Sequence, residues 1–238
     1  DELMEEFDQR IDPNEEGAPF YFNKQLYQVK SEEGLEYQKI YIQQKDKEVL
    51  FFDENERAKG NEFYNLADWE PSPDNKLIAV AEDFVGRRKN TISIRKNKNG
   101  KYLKDRIEDA NGDIIWSNDN KAIYYIKKDE QTLRSYQVYR HIIGEKSSKD
   151  ELIYQEEDEK YSVSFGKSKT GKYIFISCYS SMTSEVLWLD ANDSGATPAV
   201  FLPRRYGHLY EIEHHENGFY IVSNMNAENN KILFTRSF

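Results

Sequence analysis

The segment Ser72-Pro73-Asp74-Asn75-Lys76-Leu77-Ile78-Ala79-Val80 joins a polar turn to an apolar run, and this order decides the fold. The same order of residue types returns three times, most weakly in the last copy: SNDNKAIYYI at 117–126, SKTGKYIFI at 168–176 and ENGFYIV at 216–222. The turn lysines Lys76, Lys121 and Lys172 are 45 and 51 residues apart. A period of about 40 to 50 residues built from strands and turns is typical of a β-propeller, with one four-stranded blade per repeat.

The composition agrees with an all-β fold. Aromatic residues make up 14% of the 238 residues, and bulky aromatic and β-branched side chains pack well on a pleated sheet. We therefore predict a β-propeller with about four complete blades and part of a fifth, at 20–52, 67–106, 112–154, 161–202 and from 210 onward. The first blade is predicted from four short strands, at 20–22, 26–29, 39–42 and 49–52.

The N-terminal end differs from the rest of the chain. Leu3, Phe7 and Ile11 recur every four residues, which indicates a short amphipathic helix. We predict a helical arm and connector at 1–18 and a partial propeller domain at 19–238, with no linker that would divide that domain. A polar connector at 53–66 is predicted to hold one helical turn. Because the sequence does not begin with Met, we expect residue 1 to lie inside a longer protein.

Charge and cysteine content restrict the partners and the compartment. The net charge of −10 argues against binding to nucleic acid, which requires a concentrated basic face. No apolar stretch reaches the roughly 20 residues needed to span a bilayer, so we expect no membrane partner. Cys178 is the only cysteine and lies in an apolar run, which predicts a buried structural thiol. The lack of an intrachain disulfide favours the cytoplasm, with the periplasm as the alternative.

Three short segments resemble known sites but lack an essential residue or geometry. Gly166-Lys167-Ser168 has Tyr161 where a phosphate-binding loop needs Gly, and it precedes a strand instead of a helix. The segment 190–195 resembles a calcium loop but has Phe201 at the position of the bidentate Glu. His214 and His215 are neighbours on a predicted strand, so their side chains point to opposite faces. We therefore assign no catalytic, cofactor-binding or metal-binding residue, and no cofactor.

Basic pairs and isolated histidines are assigned structural or solvent roles. Arg87-Arg88 and Arg204-Arg205 are predicted to be solvated charges in turns, with the bidentate grip of a partner carboxylate as the alternative. His141 and His208 are predicted to be packed residues or surface residues.

Several segments, taken in order, resemble one family of enzymes. After the first repeat come Gly86-Arg87-Arg88 and a longer polar and aromatic run, TLRSYQVYRH at 132–141. Three further segments follow: SMTSE at 181–185, LPRR at 202–205 and EIEHH at 211–215. This order resembles the N-terminal propeller region of the oligopeptidase B branch, also called protease II, of the prolyl oligopeptidase family of serine peptidases. The likeness covers nearly the whole chain, although 12–17 is acidic where the family is usually basic and rich in serine.

The resemblance implies an architecture and an activity for the parent protein. A seven-bladed propeller would sit over an α/β-hydrolase domain of the same polypeptide, and that domain would carry the Ser, Asp and His triad. The substrates would be short basic peptides, cleaved after Arg or Lys. No triad position maps onto this sequence, so we expect the fragment to be inactive alone and to form oligomers through its open ends. The alternative is a stand-alone propeller that binds a protein or carbohydrate partner without catalysis.

Overall fold

The computed structural model describes residues 2–237, and nearly all of the regular structure in this range is β-strand. Eighteen strands are present, with two short α-helices and one 3-10 turn at Ser147–Lys149. The chain forms two compact units. One comprises the residues up to Leu66 together with Asp83–Gly86, and the other comprises Ala67–Glu82 and the residues from Arg87 onward.

The first unit holds helix α1 (Glu2–Asp8), one antiparallel sheet and helix α2 (Glu54–Ala58). Its four strands pair in sequence order: β1 (Phe20–Phe22), β2 (Gln25–Lys30), β3 (Lys39–Gln44) and β4 (Lys47–Asp53). The four strands predicted here are confirmed. The single helical turn expected in the connector is also present, because the Asp53 carboxylate accepts hydrogen bonds from the first free backbone N–H groups of α2.

The second unit begins with a seven-stranded antiparallel sheet. Its strands also follow the chain order: β5 (Asn65–Pro71), β6 (Leu77–Asp83), β7 (Asn90–Lys96), β8 (Tyr102–Trp116), β9 (Ala122–Lys128), β10 (Ser135–Ile142) and β11 (Glu151–Gln155). Two smaller sheets follow: β12 (Ser162–Lys167), β13 (Tyr173–Tyr179), β14 (Ser184–Asp190) and β15 (Ala199–Leu202), then β16 (Tyr210–His215), β17 (Gly218–Ser223) and β18 (Lys231–Thr235). No sheet closes on itself within residues 2–237.

Strand β8 joins two blade-like halves of the large sheet. Its first half pairs with β7 and its second half with β9, and Ala110 pairs with both neighbours. The boundary predicted between 106 and 112 therefore falls inside a continuous strand. Asp109 and Gly112 have positive φ angles of 58° and 118°, which let the backbone change direction without ending the strand. A Cβ at Gly112 would lie only 3.0 Å from the Ala67 Cβ, so Gly also permits the close approach of β5.

Apolar layers fill the spaces between successive sheets of the second unit. One layer lies between the two halves of the large sheet and includes Trp116 and Ile92. A second joins the large sheet to β12–β15 and includes Tyr124 and Cys178. A third joins β12–β15 to β16–β18 around Phe219. The sheets thus bury their facing surfaces by stacking on one another, as repeat architectures require.

The repeated turn that defines the sequence period has one shared geometry in its first three copies. The serine hydroxyl accepts a hydrogen bond from the backbone N–H five residues later, at 3.0, 3.0 and 3.1 Å, for Ser72, Ser117 and Ser168. The residue three positions after each serine has a positive φ, and those residues are Asn75, Asn120 and Gly171. Asn and Gly tolerate a positive φ, so the repeated sequence pattern corresponds to a repeated turn conformation. The fourth copy lacks the serine and forms a tighter turn between His215 and Gly218.

Candidate functional site at the first strands of the sheets

In the second unit, hydrogen bonds connect the first strand of each blade-like sheet to a neighbouring sheet. The Asp68 carboxylate accepts a hydrogen bond from the Ile114 backbone N–H at 3.1 Å, and the Trp116 indole donates to the Glu70 carbonyl at 2.8 Å. Farther along the chain, the Lys169 backbone N–H donates to Glu213 at 2.9 Å. These partners are 44 or 46 residues apart, which is one sequence repeat. The repeat therefore also fixes the contacts between sheets.

Three charged side chains interact along what we call the first-strand edge: Asp68 and Glu70 on β5 and Lys167 at the end of β12. Burial raises the pKa of Glu70 to about 8 and that of Asp68 to about 6, and the neighbouring carboxylate adds to the shift of Glu70. Burial lowers the pKa of Lys167, whose Nζ donates a hydrogen bond to the Asn118 side chain at 2.9 Å. The protonated form of the Glu70 carboxyl is therefore favoured near neutral pH.

A substitution at Glu70 tests this electrostatic description. A carboxyl whose pKa is raised on folding contributes stability that is fully present below its unfolded pKa and is lost as pH rises toward the folded value of about 8. We expect Glu70→Gln to leave stability nearly unchanged at pH 4 and to increase the free energy of unfolding at pH 9 by on the order of 2–4 kcal/mol. Urea unfolding at both pH values measures the difference. The exposed control Glu130→Gln should show no such dependence, and equal effects of the two substitutions would refute the assignment.

The structure places the three site-like segments in ordinary structural roles. Lys167 ends a strand, and Ser168 begins the repeated turn. Asp190 accepts a hydrogen bond from the Asn192 backbone N–H in a turn, as expected for that residue type. His214 is buried and its Nδ1 contacts the Thr170 hydroxyl at 2.6 Å, whereas the neighbouring His215 is exposed. Residues 2–237 contain no group of three His, Cys, Asp or Glu residues arranged to hold a metal ion.

The prediction for Arg204 is wrong. Instead of being a solvated turn charge, its guanidinium pairs with Glu156 and with Glu185, the latter at 3.2 Å. It also stacks over the Tyr161 ring, with 3.7 Å between the guanidinium carbon and the ring centroid. Glu156 lies 48 residues and Glu185 lies 19 residues before Arg204 in the sequence, so the guanidinium joins three separate segments of the chain. Its neighbour Arg205 is exposed, as are Arg87 and Arg88.

Sequence reasoning missed the network around His141. This imidazole is fully buried, with Nδ1 2.6 Å from Asp150 and Nε2 3.0 Å from Asp105, and Tyr125 donates to Asp150 at 2.9 Å. Burial disfavours the imidazolium, but hydrogen bonds to both carboxylates outweigh it, so the pKa of His141 is raised. Spacings of 9 and 36 residues gave no local signal for the network.

The expectation of a packed role holds for His141 and for two other side chains. His208 is buried beside Ser223, with 2.9 Å between its Nε2 and the serine hydroxyl. Cys178 is buried as well, and burial raises the pKa of its thiol to about 12. A thiol that stays protonated in this way is a poor nucleophile, in agreement with a structural role.

None of the helices in the described range is long and apolar enough to cross a membrane.

Comparison with known proteins places the whole chain in one sequence group. The profile described as "Prolyl oligopeptidase, N-terminal beta-propeller domain" matches residues 1–237. Dipeptidyl aminopeptidase BI of Pseudoxanthomonas mexicana is 34% identical over 191 residues, which cover 79% of this chain and 26% of that protein. Protease 2 of Moraxella lacunata is 30% identical over 227 residues, covering 94% of this chain and 31% of that protein.

Solved structures agree with the sequence matches. Oligopeptidase B from Leishmania major superimposes with a TM-score of 0.92 at 27% identity, over 98% of this chain and 34% of that one. The chain therefore spans about a quarter to a third of the length of the proteins that it matches.

Proposed function

Because the chain belongs to the prolyl oligopeptidase family, whose N-terminal β-propeller domain it matches along nearly its full length, we propose that it forms the propeller part of a longer serine oligopeptidase. In this role it would restrict access to a catalytic site in an α/β-hydrolase domain of the same polypeptide. A cover of this kind admits short unfolded peptides and keeps bulk water and folded proteins away from the reacting groups. The observation that carries the proposal is the family match along residues 1–237.

We assign the sheets to blades on the basis of their pairing. The first unit supplies one blade, the two halves of the large sheet supply two more, and β12–β15 supplies the fourth. Strands β16–β18 supply three strands of a fifth. This last sheet exposes Tyr220, Val222, Ile232 and Phe234, which supports a further blade packed against it. The family resemblance implies a total of seven blades in the parent protein. The formation of oligomers by the isolated fragment remains a prediction.

The physical basis for gating is the rigidity of the stacked sheets. Within the second unit, the hydrogen bonds at one-repeat spacing and the apolar layers between sheets hold neighbouring blades together, so a large substrate cannot separate these blades without losing those contacts. Cleavage after Arg or Lys is the specificity that the resemblance implies. The net charge of −10 supports it, because a negative field concentrates basic peptides near a surface. The cytoplasmic location also remains a prediction.

Hydrolysis of an Arg-linked chromogenic peptide tests the peptidase role. We expect the full-length gene product to release the chromophore and the 238-residue chain to release none, because no triad position maps onto it. The control is the full-length protein with the serine of its Gly-x-Ser-x-Gly segment replaced by alanine, which should be inactive. The proposal fails if the full-length protein has no such segment and does not hydrolyse the peptide, a result that would favour a stand-alone binding module.

A further inference from the structure

Four side chains inside the large sheet form a buried polar group that we call the His141 cluster: Asp105, Tyr125, His141 and Asp150. The imidazole is fully buried, and the side chains of Asp105 and Asp150 are only 2% and 3% exposed. Its Nδ1 lies 2.6 Å from Asp150, and its Nε2 lies 3.0 Å from Asp105. Because buried polar groups are hydrogen-bonded, the members of the cluster must satisfy one another.

The geometry determines how many protons these two contacts hold. A neutral imidazole has one N–H donor and one lone pair, whereas an ionised carboxylate only accepts. With a neutral ring between two carboxylates, one contact would place two acceptors against each other without a proton. Both contacts have hydrogen-bond distances, so each holds one proton, and the arrangement is that of an imidazolium between two carboxylates.

The other donors of the cluster are directed at the carboxylates and not at the ring. The Tyr125 hydroxyl donates to the second oxygen of Asp150 at 2.9 Å. The Gly144 backbone N–H donates to the same Asp105 oxygen that faces the ring. The cluster therefore has one cation, the imidazolium, for two carboxylates, and no second donor can take the place of a lost ring proton.

Tyr139 and Lys127 are further titratable groups on this side of β9 and β10. Tyr139 stacks on Tyr125 with 5.5 Å between ring centroids, and the Lys127 ammonium lies 5.3 Å from the Tyr139 centroid. The charges that act on the imidazole are those of the two aspartates. Burial disfavours the imidazolium, but the hydrogen bonds to these carboxylates outweigh burial and raise the pKa of His141.

The cluster fastens the connection between two strands. Asp105 lies on β8, whereas Asp150 ends the segment 143–150, which joins β10 to β11. Gly144 belongs to the same segment and bonds to the Asp105 carboxylate. Strand β11 is the terminal strand of the large sheet. Loss of these contacts would free the segment, while β8, β9 and β10 remain paired through their backbones.

We propose that the His141 cluster is a pH-dependent switch, which holds the segment 143–150 against β8 while each contact has its proton and releases the segment when one proton is lost. A histidine whose pKa is raised on folding contributes stability that is fully present below its unfolded pKa of about 6.5 and is lost as pH rises through the folded pKa. The segment is therefore held at neutral pH and released in the alkaline range. The proposal goes beyond the proposed function, because it concerns the response of this chain to pH and requires no hydrolysis.

Asp150→Asn separates the switch from a purely structural contact. An asparagine side chain has both N–H donors and a carbonyl acceptor. Its amide can donate to His141 Nδ1 and accept from Tyr125, so a neutral ring satisfies every contact. This variant should hold the segment at neutral and at alkaline pH. Asp46→Asn makes the same chemical change in an exposed turn and should keep the pH dependence of the unmodified chain.

Tryptic digestion of the 238-residue chain, with the products identified by mass spectrometry, measures the release. Cleavage after Lys146 and Lys149 reports on the segment, and cleavage after the exposed Lys160 is the reference within each digest. Between pH 7 and pH 9.5 we expect the ratio of these rates to rise by at least about tenfold, the change in proton occupancy that one pH unit beyond the folded pKa produces. For Asp150→Asn the ratio should stay constant within about twofold, because no proton is lost from its cluster in this range.

Nitrogen NMR of the histidine rings tests the proton count without any substitution, so it serves even if Asp150→Asn does not fold. At pH 7 both nitrogens of His141 should carry a proton in the unmodified chain, whereas the ring should be neutral in Asp150→Asn. A neutral His141 ring in the unmodified chain at pH 7, a cleavage ratio that does not rise by pH 9.5, or an equal rise in Asp150→Asn would each overturn the proposal. None of these results depends on whether the full-length protein is a peptidase.

Discussion

Replacement of Arg204 by alanine is expected to lower the free energy of unfolding by about 3 kcal/mol, because removing this half-buried partner leaves the charge of the buried Glu156 uncompensated. The side chain of Glu156 is 5% exposed and would remain as that charge. Burial opposes its ionisation, but the pairing with Arg204 outweighs burial and keeps the pKa of Glu156 below its usual value. The stability from this pair is therefore present above the unfolded pKa of a glutamate and is lost as pH falls through the lower folded pKa.

The adjacent Arg205 supplies the matched control for Arg204. It has the same charge and lies one residue away, but it is exposed, so Arg205→Ala should change stability by less than about 0.5 kcal/mol. Urea unfolding at pH 7 and at pH 3 measures both variants. The difference between them should shrink at the lower pH, and equal effects at pH 7 would contradict the burial of the Arg204 pair.

Gly218→Ala is expected to be the most damaging substitution in the last sheet. Gly218 has a φ of 145°, and a Cβ there would lie 2.3 Å from the Thr235 carbonyl oxygen and 3.0 Å from the Arg236 Cα. Both contacts are with backbone, so β17 and β18 would have to separate. Backbone strain and overpacking together predict a loss of about 3–5 kcal/mol.

Gly171 provides the comparison for Gly218. It also has a positive φ, of 69°, but no heavy atom lies within 4 Å of the place that an added Cβ would occupy. Gly171→Ala should therefore cost only the conformational penalty of about 1 kcal/mol. Thermal unfolding of the two variants measures the difference. A loss as small at Gly218 as at Gly171 would show that β18 does not pack against the turn as described.

The parts of the fold that are predictable from sequence are those with local causes. The serine, the residue with positive φ and the apolar run of each repeat lie within ten residues of one another in the first three copies, so the turn and the strand that follows can be recognised directly. The four strands of the first unit are predictable for the same reason. The resemblance to the prolyl oligopeptidase family is likewise confirmed by the match along residues 1–237.

The features that sequence reasoning missed depend on contacts between distant segments. Arg204 looks like a turn charge until Glu156, 48 residues earlier, is placed beside it. His141 acquires its two carboxylates only when β8 and the segment after β10 come together. The raised pKa of Glu70 arises from burial between sheets, which no local pattern reports. The continuity of β8 was missed because Asp and Gly in its middle are typical of a turn as well as of a bend.

Substrate size is the property that tests the central claim, which is that this chain limits access to the catalytic site of a serine oligopeptidase. The decisive measurement compares hydrolysis by the full-length protein of one Arg-containing sequence, presented either as a short blocked peptide or within a long unfolded polypeptide. We predict that the short peptide is cleaved after Arg and that the long chain is not cleaved at a detectable rate. Equal rates for the two substrates, or cleavage of neither, would contradict the claim.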